Sequence, residues 1–225
     1  MPSRRKLVAY TLPFLIFIAL LALNGALKRI DHHLWLTLPE YWIYPLQTIL
    51  AGALLIYFWR EYDFGRPRRI GFAVLIGIGV FIVWVSPQAL FGSAPRTLGF
   101  NPLLLFNQRS PFYWLELVLR LIRLIVVVPF IEEIFWRGFL LRFLIDENFE
   151  RVPLGAFSWF SFSMVTLGFA LSHSPPDWPA AVVAGAAYNA VAYRTKTLSS
   201  CVLTHATTNL LLGLWIMQTK QWGFW

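Results

Sequence analysis

Long runs of apolar residues, separated by short polar segments, set the pattern of this chain. Each run approaches the roughly 20 residues that a helix needs to cross the hydrocarbon core of a bilayer. Seven such runs can be drawn, at 7–27, 41–59, 70–91, 114–145, 153–173, 178–193 and 198–217. The pattern predicts an all-α, polytopic membrane helix bundle of about seven transmembrane helices, with residues 1–225 forming a single integral membrane domain.

The lengths of the fourth and first runs each raise a question about how the run lies in the membrane. The fourth is too long for one straight helix, so we expect its first turns, with Glu116, Arg120 and Arg123 at helical spacing, to lie at the membrane interface. The first is too long for the apolar region of a signal peptide and lacks a small-residue cleavage pattern, so we expect a retained helix. Between the fifth and sixth runs, Pro175 and Pro176 predict a sharp turn, because each proline removes a backbone donor.

Composition and charge agree with a membrane protein. The chain is 58% hydrophobic and 13% charged, and its formal net charge is +8. That basicity would suit a nucleic-acid partner, but the cations are concentrated on one predicted side of the membrane: Arg4, Arg5, Lys6, Arg60, Arg66, Arg68, Arg69, Arg142, Arg151, Arg194 and Lys196. The opposite side has only Lys28, Arg29, Arg96, Arg109 and Lys220. The positive-inside rule then predicts a cytoplasmic N terminus and a C terminus outside, and no nucleic-acid partner.

Three charged residues lie inside the fourth apolar run. A charged side chain at mid-bilayer costs roughly 2.5–3.5 kcal/mol on insertion scales, so Glu132, Glu133 and Arg137 must pair, face a wet cavity or do chemistry. Glu133 and Arg137 are four residues apart with the glutamate first, which is the favourable order for an ion pair on a helix. Glu132 lies about 100° round the helix from Glu133, so its carboxylate remains available.

Polar side chains at two later sites complete a candidate reactive centre. His173 ends the fifth run, and His205 and Asn209 lie one helical turn apart on the seventh, so they face one way. A glutamate and a histidine can activate water, while histidine and asparagine donors can stabilise an oxyanion. A glutamate and two histidines are also a ligand set for catalytic zinc, here Glu132, His173 and His205. The residues therefore predict hydrolysis within a membrane and leave the metal open.

Each of these residues also has a purely structural explanation. Glu133 and Arg137 can form a pair that orients the helix, and His173 can cap a helix end. His205 and Asn209 can form hydrogen bonds between membrane helices. A non-catalytic membrane scaffold, or an immunity-type partner of a protein-sorting system, is therefore an alternative to an enzyme.

The chain lacks sequence features typical of several other classes of protein. The chain contains neither His-Glu-x-x-His nor Gly-x-Ser-x-Gly. Its single cysteine, Cys201, excludes an intramolecular disulfide and a cysteine-based metal site, and we expect it to be a packed small residue. A transporter is disfavoured because no internal repeat and no paired broken helices are detectable.

Three motifs, in this order, resemble those of the CPBP family, the CAAX-protease and bacteriocin-processing intramembrane peptidases. They are Glu-Glu-x-x-x-Arg at 132–137, Phe-x-x-x-His at 169–173 and His-x-x-x-Asn at 205–209, and the catalytic core would span about 125–212. The resemblance implies an intramembrane active-site cavity and an endopeptidase that hydrolyses a peptide bond of a membrane-associated protein or peptide. It implies that Glu132 and His173 activate water, that His205 and Asn209 stabilise the oxyanion, and that Glu133 and Arg137 hold the site together. Whether zinc assists stays open.

A closer resemblance extends to the last residues of the chain. Residues 132–137, 193–195, 208–213 and 221–225 look like a bacterial CAAX-protease-related subgroup whose members accompany exosortase protein-sorting systems. It implies a multi-pass protein of the bacterial inner membrane, with its C terminus in the periplasm. It also implies a functional link to exosortase.

One distance conflicts with this site. If the fifth helix begins near Pro153, His173 lies about 30 Å along it, whereas His205 is only about 10 Å into the seventh, at roughly 1.5 Å per residue. A strong tilt, a short sixth helix with a sunken loop at 174–179, or different helix boundaries would bring the histidines together. Without one of these, the topology or the active site is wrong.

Overall fold

The computed structural model describes residues 3–29 and 34–225, and within those ranges it contains helices and no β-strand. The helices are α1 (Arg4–Leu27), α2 (Leu34–Thr37), α3 (Glu40–Tyr57), α4 (Ile70–Ala89), α5 (Pro111–Ile122), α6 (Val128–Glu133), α7 (Leu141–Phe143), α8 (Trp159–Leu171), α9 (Trp178–Thr195) and α10 (Leu198–Thr219). The all-α class predicted from the apolar runs is therefore confirmed for this part of the chain.

Three helices, α1, α4 and α10, are long and apolar enough to cross a membrane. Helix α8 is also apolar but has only 13 residues. Each of the predicted runs overlaps a helix of the structure. The count of about seven crossings stays a prediction.

The bundle exposes large apolar side chains and buries several charged ones within its apolar core. Large apolar side chains such as Leu15, Ile56 and Leu75 are exposed. Charged side chains such as Glu133 and Arg137 are fully buried. Water-soluble proteins rarely bury charged side chains, and they rarely expose large apolar patches. This distribution favours apolar surroundings for the bundle.

Helices α5, α6 and α7 form one helical rod, because π-helical segments join them without a break. Ser110 caps its start by accepting a hydrogen bond from the Phe112 amide at 3.3 Å, and Pro111 occupies the first turn, where no backbone donor is needed. The joining segments are Arg123–Val127 and Ile134–Leu140.

The first π-helical segment leaves one carbonyl without a helical partner. The Val128 amide donates to the Arg123 carbonyl, five residues back. In the same register, the Leu124 carbonyl would need the amide of Pro129, which has no hydrogen to donate. A donor from another helix must therefore satisfy Leu124.

Ion pairs join loops at each end of the bundle. At one end Arg5 pairs with Glu61 at 2.7 Å, and Lys6 lies 3.8 Å from Glu150. At the other end Arg96 pairs with Asp177. Which end is cytoplasmic stays a prediction.

The fifth apolar run is where the predicted boundaries differ from the structure. Helix α8 begins at Trp159, after the Ser158 cap, and not near Pro153. Gly155 has φ +82°, and a Cβ there would lie 2.7 Å from the Ala192 carbonyl oxygen. Residues 153–157 are therefore a loop packed on α9, and their apolar composition does not reveal it.

Helices α4 and α10 approach each other closely at a glycine. A Cβ on Gly77 would lie 2.6 Å from the Thr204 carbonyl oxygen, so only glycine fits without displacing a helix. The Gly77 carbonyl also accepts a hydrogen bond from the Thr208 hydroxyl at 2.9 Å. Small residues of this kind bring membrane helices together, and here Gly77 and Thr208 hold α10 against α4.

Candidate active site

A pocket of about 310 Å³ lies between the rod and helices α1, α3, α4, α8, α9 and α10. Its polar and charged wall includes four of the residues singled out from sequence: Glu132, His173, His205 and Asn209. Its apolar wall includes Phe17, Trp84 and Phe169. The structure thus brings three sequence-distant motifs to one cavity.

Glu133 and Arg137 form the ion pair that their spacing predicts. The Arg137 Nη1 atom donates to the Glu133 carboxylate at 3.0 Å, and neither side chain is exposed. Arg137 also donates through Nε to the Asn189 Oδ1 atom at 3.0 Å and through Nη2 to the Gly185 carbonyl at 3.1 Å. Asn189 in turn donates to the Thr166 hydroxyl at 3.1 Å. This network joins the rod to α8 and α9.

Glu133 also holds His205. The His205 Nδ1 atom lies 2.9 Å from the same Glu133 oxygen that accepts from Arg137. Because a carboxylate only accepts, Nδ1 carries the hydrogen, and Nε2 is left for another partner. The Tyr188 ring packs against the imidazole with centroids 4.9 Å apart, and its hydroxyl donates to Thr208 at 2.8 Å. His205 is therefore fixed in tautomer and orientation.

Glu132 differs from its neighbour. It lines the pocket and is 7% exposed, and no hydrogen bond within the described residues involves its carboxylate. Its Oε2 atom is buried and has no hydrogen-bond partner in the part of the chain that the structure describes. A buried carboxylate without a partner is expensive in a structure, so it points to a bound water or substrate as the missing partner.

His173 lies just beyond the end of α8, where it faces the pocket. Its Nδ1 atom is 2.8 Å from the Phe169 carbonyl, which makes Nδ1 the donor and leaves Nε2 as an acceptor. The Phe169 ring packs on His173 at 4.8 Å and on His205 at 6.2 Å between centroids. The two histidines thus share one wall, and the expected separation is absent because α8 starts later than the apolar run.

Asn209 supplies the donor that the π-helical segment requires. Its Nδ2 atom donates to the Leu124 carbonyl at 2.8 Å. The amide group has two hydrogens, so one remains for the pocket. Asn209 therefore both fixes the rod against α10 and offers a donor beside Glu132.

A zinc site is less well supported by the geometry. Across residues 3–29 and 34–225, no group of three His, Cys, Asp or Glu side chains lies close enough to hold a metal ion. As placed, Glu132, His173 and His205 do not form the three-ligand set that zinc would need.

Several residues of the site are less evident from sequence. Asn189, Tyr188 and Thr208 support the network from α9 and α10, and only their burial within apolar helices could mark them. Arg120 and Arg123, which were expected at the membrane interface, turn their side chains inward and line the pocket. Glu116 is likewise buried. The Tyr44 ring packs on both arginines, and the Phe17 ring packs on Arg123.

The fold and the site together define an all-helical protein with a buried glutamate, two histidines and an asparagine around one pocket. A family profile, the Rce1-like type II CAAX prenyl endopeptidases, matches residues 114–211. This segment contains every candidate site residue, and the match supports the CAAX-protease (CPBP) family for it. With the apolar helices, it indicates a multi-pass membrane protein. No curated protein and no solved structure matches the chain.

Proposed function

We propose that this protein is an intramembrane endopeptidase that hydrolyses a peptide bond of a membrane-associated protein or peptide. The observation that carries the proposal is the buried Glu132 carboxylate, which has no partner and faces the pocket shared with His173 and His205. In an ion pair with a structural role, each charged group is neutralised by its partner. A general base, by contrast, needs a carboxylate oxygen that is free to accept a proton from water. The Rce1-like match supports the same reaction class.

In this mechanism Glu132 is the general base and His173 positions the water. The free Nε2 atom of His173 accepts one hydrogen of the water, while Glu132 takes the other as the water oxygen attacks the carbonyl carbon. Collapse of the tetrahedral intermediate breaks the C–N bond, and the proton held by Glu132 passes to the leaving amine. The products are one new carboxyl group and one new amino group, and no further reactant is needed.

The oxyanion is stabilised from α10. Asn209 has one amide hydrogen that Leu124 does not use. His205 donates from Nε2 only when both ring nitrogens carry hydrogen, with Nδ1 bonded to the Glu133 carboxylate. Arg137 pairs with the same carboxylate oxygen of Glu133 and holds it in place beside His205. Preorganised donors of this kind typically contribute about 10²–10³-fold in rate each.

The setting of the reaction follows from the sequence resemblance. We propose a bundle of about seven crossings, with its N terminus in the cytoplasm of a bacterium and its C terminus in the periplasm. We also propose that the enzyme serves an exosortase-linked protein-sorting system, as the subgroup resemblance implies. In this proposal the protein's own residues activate the water, without a metal.

The competing candidate is a non-catalytic scaffold. It is favoured by the network of Thr166, Asn189, Arg137, Glu133 and His205, because every member has a structural partner. Outside that network, His173 and Asn209 each have a backbone partner, whereas the Glu132 Oε2 atom has no hydrogen-bond partner among the described residues. The two functions therefore differ in what they predict for Glu132.

The deciding experiment uses a library of peptides with free carboxyl ends, incubated with the protein in proteoliposomes and read by mass spectrometry. The endopeptidase proposal predicts new peptide ends with the wild type and none with Glu132→Gln, which keeps the size and removes the base. Glu147→Gln, on an exposed loop residue, is the matched control and should cleave as the wild type does. If the wild type and Glu132→Gln give the same products, or neither gives any, the proposal is wrong.

A further inference from the structure

A second pocket, the loop pocket, lies at the end of the bundle where Lys6 contacts Glu150. Its volume is about 450 Å³, and its wall is formed by the end of the rod, the turn from α9 to α10, and the loops at 63–65 and 150–154. Among the described residues, none lines both this pocket and the one that contains Glu132. The proposed chemistry therefore leaves the loop pocket without a role.

The wall of the loop pocket has more cations than anions. Its three cations are Arg142, Arg151 and Lys196. None of them forms an ion pair with another described residue. The two carboxylates of the wall, Asp63 and Glu150, interact with the charge of Arg142 at a distance. Both of them pair instead with the Lys6 ammonium, at 3.6 and 3.8 Å. The excess of positive charge favours an anionic ligand.

Arg142 is held in place and still has free donors. Its Nε atom donates to the Val152 carbonyl at 2.7 Å, and its Nη1 atom donates to the Gly138 carbonyl at 3.0 Å. The Phe149 ring centroid lies 5.4 Å from its Cζ atom. A guanidinium has five N–H hydrogens, so three of them have no acceptor among the described residues. An anchored guanidinium of this kind suits the oxygens of a phosphate group.

A buried hydroxyl adds a second donor to the wall. Tyr10 is 1% exposed and lines the loop pocket. Its oxygen accepts a hydrogen bond from the Asp63 amide at 3.1 Å, and its own hydrogen has no acceptor in the described part of the chain. The ring lies close to the rod because Gly138 has no side chain: a Cβ there would lie 2.9 Å from the Tyr10 Cε1 atom. Buried hydroxyls normally donate, so the missing acceptor points to a ligand in the pocket.

The surroundings of the loop pocket favour a lipid as the source of the anion. Residues 153–154 line the pocket, and the chain then continues into Phe157 and Trp159, which are 53% and 73% exposed. The Phe157 ring packs against Trp159 at 5.0 Å and against Tyr193 at 5.2 Å between centroids. Exposed aromatic clusters of this kind are typical of the boundary between membrane and water. Basic pockets at that boundary bind phospholipid headgroups.

We propose that the loop pocket binds a phosphate group, and that its source is the headgroup of an anionic phospholipid. The phosphate oxygens accept hydrogen bonds from the Arg142 guanidinium and the Tyr10 hydroxyl, and the Lys196 ammonium adds positive charge. Because the wall includes the end of the rod and the start of α10, the bound lipid bridges these two helical elements. The inference does not depend on the endopeptidase function.

The test follows the acetylation of single lysines in the wild-type protein, in micelles of a non-ionic detergent, by mass spectrometry. Lys196 lines the loop pocket, and Lys220 does not. Both are exposed, and both end a helix with a positive φ, of 56° and 59°. Saturating phosphatidylglycerol should slow acetylation of Lys196 by about tenfold or more, because few sites stay free, and that of Lys220 by less than about twofold. Diacylglycerol with the same acyl chains, which has no phosphate, should protect neither lysine.

Variants separate the two donors from the general charge of this end. Tyr10→Phe removes only a hydroxyl, and Arg142→Gln removes the guanidinium. Each should raise the phosphatidylglycerol concentration for half-protection of Lys196 by about tenfold. Arg194→Gln removes an exposed cation two residues from Lys196 and outside the pocket, and should change that concentration by less than about twofold. If Arg142→Gln does not fold because two backbone carbonyls lose their donor, Tyr10→Phe decides the test.

The remaining outcomes contradict the proposal or change the source of the phosphate. Equal protection of Lys196 and Lys220, or equal protection by phosphatidylglycerol and diacylglycerol, overturns the phosphate site. So does an unchanged half-protection in Tyr10→Phe, or an effect of Arg194→Gln as large as that of Arg142→Gln, since the lipid would then respond to overall charge. Millimolar inorganic phosphate that protects Lys196 as well as the lipid does would support the phosphate site and overturn the headgroup as its source.

Discussion

The two adjacent glutamates of the rod should respond in opposite ways to the same substitution. Glu133 is fully buried, and one of its oxygens accepts hydrogen bonds from Arg137 at 3.0 Å and His205 at 2.9 Å. Glu132 is almost as buried, but no hydrogen bond within the described residues satisfies it. Alanine at 133 should therefore destabilise the fold, whereas alanine at 132 should not.

The size of the difference follows from the contacts. Hydrogen bonds to charged groups contribute about 1.5–3 kcal/mol each, so the two bonds to Glu133 correspond to about 3–6 kcal/mol. Removing one partner of a buried ion pair costs about 3–5 kcal/mol, because the other charge stays buried. We expect a loss of about 3–5 kcal/mol in the free energy of unfolding for Glu133→Ala. For Glu132→Ala we expect a change below about 1 kcal/mol, because an unpaired buried carboxylate is removed.

The assay is unfolding by SDS in mixed micelles, followed through the fluorescence of the 11 tryptophans, with peptide cleavage measured on the same samples. Glu132→Ala should unfold at the same SDS concentration as the wild type and should cleave no peptide. Glu133→Ala should unfold at lower SDS. An equal loss of stability in both variants would refute the reasoning, because Glu132 would then have a structural partner. Wild-type stability of Glu133→Ala would refute it as well, because the ion pair would contribute nothing.

Three further predictions test other parts of the site and the bundle. Asn209→Ala should lower kcat by about 10²–10³-fold, because the oxyanion loses a donor. It should also lower the free energy of unfolding by about 1–3 kcal/mol, because the buried Leu124 carbonyl loses its partner. A variant with wild-type kcat would contradict the oxyanion role. Purified protein should contain well under one zinc per chain, and a chelator should leave cleavage unchanged; about one zinc, lost in Glu132→Ala, would contradict the metal-free mechanism. Gly77→Val should cost at least about 1–3 kcal/mol through overpacking against α10, whereas Gly79→Val, which meets nothing within 4 Å, should be close to neutral; equal effects would contradict the close approach of α4 and α10.

The helices could be predicted from sequence because apolar runs and helices coincide in a bundle of this kind. The starts of α4 and α9 agree with the predicted runs to the residue. The fifth run fails at its start because Pro153 and Gly155 belong to an apolar loop that packs on α9. Hydropathy reports what is removed from water and not whether the backbone is helical, so it cannot separate such a loop from a helix.

The site could be predicted only where its contacts are local. Glu133 and Arg137 are one turn apart, so the helix geometry alone gives the pair. The contact between Glu133 and His205 joins residues 72 positions apart, and no spacing rule reaches that far. Arg123 was expected at the membrane interface because a charged side chain is usually hydrated. Its guanidinium is buried against the rings of Phe17 and Tyr44, which lie more than 70 residues earlier in the chain and which no local pattern connects to it.

The structural network itself identifies the reactive groups. It uses the charges of Glu133 and Arg137 and one ring nitrogen of His205, and Leu124 uses one amide hydrogen of Asn209. If the same side chains served packing alone, Glu132 would gain nothing from a position in the pocket wall, since it satisfies no neighbour there. A buried carboxylate oxygen without a hydrogen-bond partner among the described residues points to a bound molecule as that partner. If the protein is a scaffold, some ligand other than a peptide substrate must satisfy Glu132. The scaffold function would be indicated by a Glu132→Gln variant that functions as the wild type does.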